Sequence, residues 1–152
     1  MKVSLFYVQQ NKTKNADAFE KHFLKKIKKN MSLQIIGIAI KKKFSSKEQQ
    51  IKYECERIKE KIGKEKYICF DKAGQKISSE NFANMIYRSN DKVNLIVGGA
   101  FGLSDDLIKD AQKTISFSDM EFSHEVFRVM LLEQVYRPTV YLIIIHTTKV
   151  ER

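Results

Sequence analysis

The stretch LIVGGAFGL (Leu95–Leu103) breaks an apolar run of strand character at two adjacent glycines, and a third glycine follows three positions later. Side chains are excluded from Gly98, Gly99 and Gly102. That pattern suits a segment that something approaches closely, or one whose backbone takes angles only glycine adopts freely. The spacing is not the G-x-G-x-x-G of dinucleotide-binding folds. A coarser inference survives: a strand ending in a glycine-rich loop is where α/β proteins bind ligands. A tight strand-to-helix turn with no ligand fits the stretch equally well.

Outward from this loop, strand and helix signals alternate. VSLFYV (Val3–Val8) and LQIIGIAI (Leu33–Ile40) read as buried strands, YICF (Tyr67–Phe70) as a third and Val93–Val97 as a fourth, with ISFS (Ile115–Ser118) a short fifth. Between them, Phe19, Phe23 and Ile27 recur at helical spacing. Ser46 followed by Gln49 fits a capping box ahead of the stripe Ile51, Cys55, Ile58 and Ile62, and Gly63 ends it. Ser78 or Ser79 can cap a helix carrying Phe82, Met85 and Ile86. Ser104, with Asp105 and Asp106 after it, opens another with favourable charge at its N-terminus. A last helix spans His124 to Arg137, and Pro138 is expected to disturb or end it. This alternation predicts a mostly parallel sheet with helices on both faces. No internal repeat, low-complexity tract or linker interrupts it, so residues 1–152 are expected to form one domain.

Composition narrows the function classes. Hydrophobic residues make up 43% of the 152, enough for a packed core and too many for a disordered chain. Lys and Arg number 28 against 18 Asp and Glu, a net charge of +10 that favours a polyanionic partner, nucleic acid or an anionic membrane surface. Cys55 falls on a helical stripe and Cys69 in a strand, so both read as small core residues of a reducing compartment. His22, His124 and His146 lie far apart with no metal-ligand spacing, and no metal is expected. The N-terminal MKVSLFYVQQ lacks the pattern of a secretion signal, and TVYLIII near the other end is too short to span a bilayer. A cytoplasmic protein with no membrane association is expected.

From the glycine loop onward the pattern becomes specific. GGAFGL, followed by SFSDMEFSHEVFRVMLLEQVYR (Ser116–Arg137), resembles the RlmH family of SPOUT-class RNA methyltransferases. A weaker likeness runs back through CFDKAGQKISSE (Cys69–Glu80) to MKVSLFYV. The resemblance implies a SPOUT-type α/β fold with a C-terminal trefoil knot, a homodimer, and S-adenosylmethionine (SAM) as methyl donor. It implies as substrate a pseudouridine in helix 69 of 23S ribosomal RNA, methylated at N3 in assembled ribosomes. Carried over residue by residue, it makes Phe70, Gly98, Phe117, Ser118, Asp119, Met120, Glu121 and Phe122 the cofactor-binding set. In this view the glycines admit the cofactor to the main chain.

The catalytic group is not identified by the resemblance. His124, Glu133 and Arg128 are weak candidates; each fits a packing, helix-face or dimer role as well, and so do Tyr136 and Arg137. Lys25, Lys26, Lys28, Lys29 and Lys41 to Lys43 form basic runs, solvated faces of which some suit phosphate contacts. The chain also departs from the family. Its end, IIIHTTKVER, lacks the Tyr-His-basic tail, and His146 does not match the tail histidine in position. Ser123 stands in place of the proline commonly found before the histidine, and Pro138 in place of a small residue. The alternative function is therefore a catalytically impaired SPOUT-fold protein that keeps the SAM pocket and binds RNA or the ribosome. A flavodoxin-like nucleotide binder fits the alternation but not the C-terminal likeness.

Overall fold

The computed structural model describes residues 1–9 and 13–150, without the side chains of 9, 143 and 145–150. In chain order the elements are β1 (Lys2–Gln9), α1 (Lys14–Ile27), β2 (Ser32–Ala39), α2 (Lys47–Ile62), β3 (Ile68–Lys76), α3 (Ser79–Tyr87), β4 (Val93–Val97), α4 (Asp105–Asp110), β5 (Lys113–Ser116) and α5 (His124–Val150). The strands form one sheet in the order β2-β1-β4-β3-β5, and every pairing is parallel. This is the α/β fold that the alternation predicts.

Helix starts follow local chemistry. The hydroxyls of Thr13, Ser46, Ser78 and Ser104 accept hydrogen bonds from the backbone N–H groups of Ala16, Gln49, Asn81 and Leu107, satisfying donors that a helix leaves open at its first turn. At α2 only half of the expected capping box forms, because the Gln49 side chain accepts from the Ser45 hydroxyl at 2.6 Å instead.

Both faces of the sheet are covered, so the central strands are apolar on both sides. On one face Leu5, Ile68 and Leu95 pack with Ile27, Phe82, Leu131 and Val135 from α1, α3 and α5. On the other, Phe6, Cys69 and Ile96 pack with Cys55, Ile58 and Leu107 from α2 and α4. Adjacent residues such as Leu95 and Ile96 therefore serve opposite layers, as a period of two requires. Both cysteines are buried thiols, and burial, with the charge of Asp71 adding to it, pushes the Cys69 thiol up to about 12.

Three expectations need correction. Phe19 is 58% exposed; the inward stripe of α1 is Ala16, Glu20 and Ile27, and Glu20 is admitted because Arg128 pairs with it. β3 does not stop at Phe70 but continues through a bulge, its register against Ile115 jumping from Phe70 to Gln75, while β5 ends at Ser116 and leaves Phe117 and Ser118 in a loop. Pro138 does not end the last helix, which runs on to Val150. A proline inside a helix costs ~3 kcal/mol. Here Pro138 and Thr139 are buried, Pro138 faces Ala83 and Tyr87 of α3, and the Thr139 hydroxyl donates to the Tyr136 carbonyl at 2.6 Å. Tertiary packing outweighs the local penalty.

Candidate functional site

Because the strands are parallel, the segments that follow β2, β4 and β5 emerge at one edge of the sheet. A groove of about 560 Å³ opens there. That volume lies within the ~300–1,000 Å³ typical of small-molecule sites. Its floor is Val97, Ile115 and Phe70 at strand ends; its walls are the glycine loop, Phe117, Ser118 and Met120 to Phe122, the start of α5, and Lys47, Glu48 and Ile51 of α2.

The glycine loop closes on itself. The Gly102 N–H donates to the Gly99 carbonyl at 3.1 Å, and Gly102 holds a φ of +81°, a left-handed angle that disfavours side chains. A Cβ on Gly98 would lie 2.8 Å from the Gly102 carbonyl carbon, and one on Gly99 would lie 2.8 Å from Glu54 Oε1. The close approach that excludes side chains is thus made by the chain's own atoms. The glycines thus have a structural reason beside the cofactor role that the resemblance implies. They let the loop fold tightly, and the folded loop then presents its main chain to the groove.

Glu54 escaped the sequence reading. It is a buried carboxyl on the inner side of α2, wedged behind Gly99. Burial raises its pKa from the ordinary 4.5, against the opposing effect of the Gln50 amide, which donates to Oε1 at 3.0 Å. The available signal was an acidic residue adjoining Cys55 within the apolar stripe.

The opposite wall is aromatic. Phe117 stands between Phe70 (ring centres 5.3 Å apart), Phe127 (5.3 Å) and Phe82 (5.7 Å), mostly in the edge-to-face or tilted contacts that such rings favour. Beyond it the chain is shaped by its serines: the Ser116 hydroxyl donates to the Ser118 carbonyl at 2.9 Å, and the Met120 N–H donates to Ser118 Oγ at 3.0 Å. Of the eight residues expected to hold a cofactor, Phe70, Gly98, Phe117, Ser118, Met120, Glu121 and Phe122 line the groove. Asp119 does not; its carboxylate takes a hydrogen bond from the Lys76 ammonium. Glu121 lies 3.3 Å from Lys72.

The three catalytic candidates separate in space. His124 lines the groove, and burial, then the nearby Arg128 charge, lowers its pKa below 6.5, so its ring is neutral at pH 7 and can accept a proton. Glu133 lies beyond Phe117 in a smaller cavity of about 180 Å³ and pairs with Arg137 at 3.1 Å. Arg128 is buried between α1 and α5, 2.7 Å from Glu20 and over the Tyr7 ring at 3.6 Å, and does not line the groove. Tyr136 packs on Phe23 with Lys26 over its ring.

For the SAM that the resemblance implies, the donor set fits. Aromatic faces at Phe70, Phe117 and Phe122 suit an adenine, main-chain groups of two loops suit its polar edge, and Glu48 and Asp71 suit a cation. Among the described residues no cluster of His, Cys, Asp or Glu could hold a metal ion, and no helix is long and apolar enough to cross a membrane.

Comparison with known proteins agrees with this geometry. Residues 1–146 match the family described as "Predicted SPOUT methyltransferase". The ribosomal RNA large subunit methyltransferase H of Clostridium acetobutylicum is 35% identical over 147 residues, covering 90% of this chain and 92% of that protein. The enzyme of the same name from Clostridium botulinum is 35% identical over 153 residues with the same coverage. Among solved structures, the tRNA (m1G37) methyltransferase of Aquifex aeolicus shares the fold at a TM-score of 0.56, with 15% identity over 90% of this chain and 70% of that one.

Proposed function

Because the chain belongs to the SPOUT methyltransferase family, we propose that it transfers a methyl group from SAM to N3 of a pseudouridine in helix 69 of 23S ribosomal RNA, acting on assembled ribosomes in the cytoplasm as a homodimer. The observation that carries the proposal is the groove at the carboxyl edge of the sheet, where the glycine loop and residues 117–122 face each other across a space of cofactor size. The likeness to proteins named for large-subunit RNA methylation supports the substrate class.

SAM brings the reactive methyl group on its sulfonium, so the chain's task is placement. The aromatic wall and the folded glycine loop orient the cofactor and exclude water. The base must lose its N3 proton, and His124, neutral and lining the groove, is a candidate acceptor on this chain. A base in a hairpin loop is easier to splay into such a groove than one inside a duplex.

The C-terminal knot rests on the family resemblance. The homodimer is supported by apolar residues that α5 leaves outward, such as Val126, 49% exposed. Sedimentation at micromolar concentration is expected to give twice 17.8 kDa; a monomer would remove the dimer. The internal departures from the family pattern at Ser123 and Pro138 favour the second reading, an RNA- or ribosome-binding protein that keeps the SAM pocket without turnover. Incubating purified protein with SAM and unmodified ribosomes, then measuring methylated pseudouridine, separates the two: product supports the enzyme, and SAM binding without product supports the binder.

A further inference from the structure

We propose that the segment between β2 and α2, together with the first turns of α2, is a docking ledge for single-stranded RNA flanking the target nucleotide. This rests on the reading of the chain as an RNA methyltransferase. Lys41, Lys42 and Lys43 follow the end of β2, so the parallel sheet delivers them to the same edge as the glycine loop, and Lys47 reaches the groove itself. All four are exposed, and none pairs with a carboxylate among the described residues. Across the groove the opposite holds: Lys72 and Lys76 are engaged by Glu121 and Asp119. Among the described residues beside the groove, the lysines without a carboxylate partner lie on one side.

Aromatic planes alternate with these cations. Phe44 and Tyr53 lie 5.2 Å apart, Lys42 and Arg57 each sit 5.2 Å from the Tyr53 ring, and Lys47 sits 5.2 Å from the Phe101 ring. Phe101, 40% exposed at the mouth of the groove, offers a face to an unstacked base. Cations for phosphates interleaved with rings for bases are what single-stranded nucleic acid requires. An anionic membrane is the poorer fit, because the apolar side of α2 (Cys55, Ile58 and Ile62) is spent on the sheet and has nothing left to insert.

Two charge-matched variants test the ledge. One replaces Lys41, Lys42 and Lys43 with alanine; the other replaces Lys25, Lys28 and Lys29, exposed on or just after α1 on the opposite face of the sheet. The probes are a labelled single-stranded RNA carrying the helix 69 loop sequence, SAM by calorimetry, and anionic phosphatidylserine vesicles. The ledge variant is expected to bind RNA about tenfold more weakly, with its log–log salt slope reduced by about 2, since each phosphate contact on a single strand contributes about 0.7. The α1 variant is expected to match wild type, and both are expected to bind SAM normally. Phe101→Ala is expected to weaken RNA binding by about tenfold without changing the salt slope. Equal losses in the two lysine variants would overturn the ledge, as would no loss in the first or ledge-dependent binding to vesicles in place of RNA. If wild type methylates ribosomes and the ledge variant does so equally well, the ledge alone falls. If wild type binds RNA through the ledge but transfers no methyl group, the enzymatic reading alone falls.

Discussion

Glu20 and Arg128 tie α1 to α5 through a pair almost removed from water. Arg128 Nη2 lies 2.7 Å from Glu20 Oε1, with the side chains 5% and 6% exposed, and the guanidinium sits 3.6 Å from the centre of the Tyr7 ring. Arg128 Nε has no hydrogen-bond partner among the described residues, so the cation depends on that carboxylate and that ring. Glu20→Ala leaves a dry, uncompensated charge. Breaking a buried pair from one side costs about 3–5 kcal/mol, and in a chain of this size each kcal/mol moves Tm by ~2–4 °C. The Tm of Glu20→Ala should therefore fall by roughly 10 °C in thermal denaturation at neutral pH. Removing both partners, as Glu20→Leu with Arg128→Met, takes away the charge together with its need, and that protein should recover most of the loss. Arg128→Met also removes the second cause of the lowered His124 pKa, so the His124 resonances should titrate closer to 6.5 than in wild type. Glu20→Ala melting with wild type, or a double variant no more stable than the single one, would refute the reasoning.

Gly98→Ala should push the Gly102 main chain aside, costing about 1–3 kcal/mol as overpacking does and weakening SAM binding in calorimetry; unchanged affinity would separate the loop from the cofactor. Phe117→Ala removes the ring between the groove and the smaller cavity, with an expected loss of about 2–3 kcal/mol in denaturant titration and weaker SAM binding. Glu54 carries a raised pKa, so above 4.5 the native state holds a proton that the unfolded chain releases, and its contribution to stability declines as pH rises through the folded value. Glu54→Gln should therefore gain on wild type as pH rises above 4.5; a difference that stays constant as pH rises from there would contradict the assignment.

Elements whose local and tertiary demands agree were legible in the sequence. β4 is buried along all five residues, four of them apolar, because both of its faces are covered, and Ser46, Ser78 and Ser104 announce helices that do begin after them. Disagreement hid the rest. Pro138 argues for a helix end, and only contact with α3 overrules it. Phe19 keeps helical spacing with Phe23 and Ile27, yet the inward place goes to Glu20, a choice made 108 positions away at Arg128. The glycines were legible as a site of close approach, but not what approaches, because Glu54 reaches Gly99 from another element. Seven of the groove-lining residues were accessible through family likeness, which also named Asp119, whose carboxylate turns to Lys76.

The central claim is methyl transfer to one base of the large-subunit RNA. Ribosomes lacking the modification, incubated with the protein and SAM carrying a labelled methyl group, can be digested and their helix 69 fragment resolved by mass spectrometry. The account predicts one labelled methyl group at N3 of a single pseudouridine, formed far faster on intact ribosomes than on the isolated hairpin. No label in helix 69, from protein that binds SAM, would contradict it.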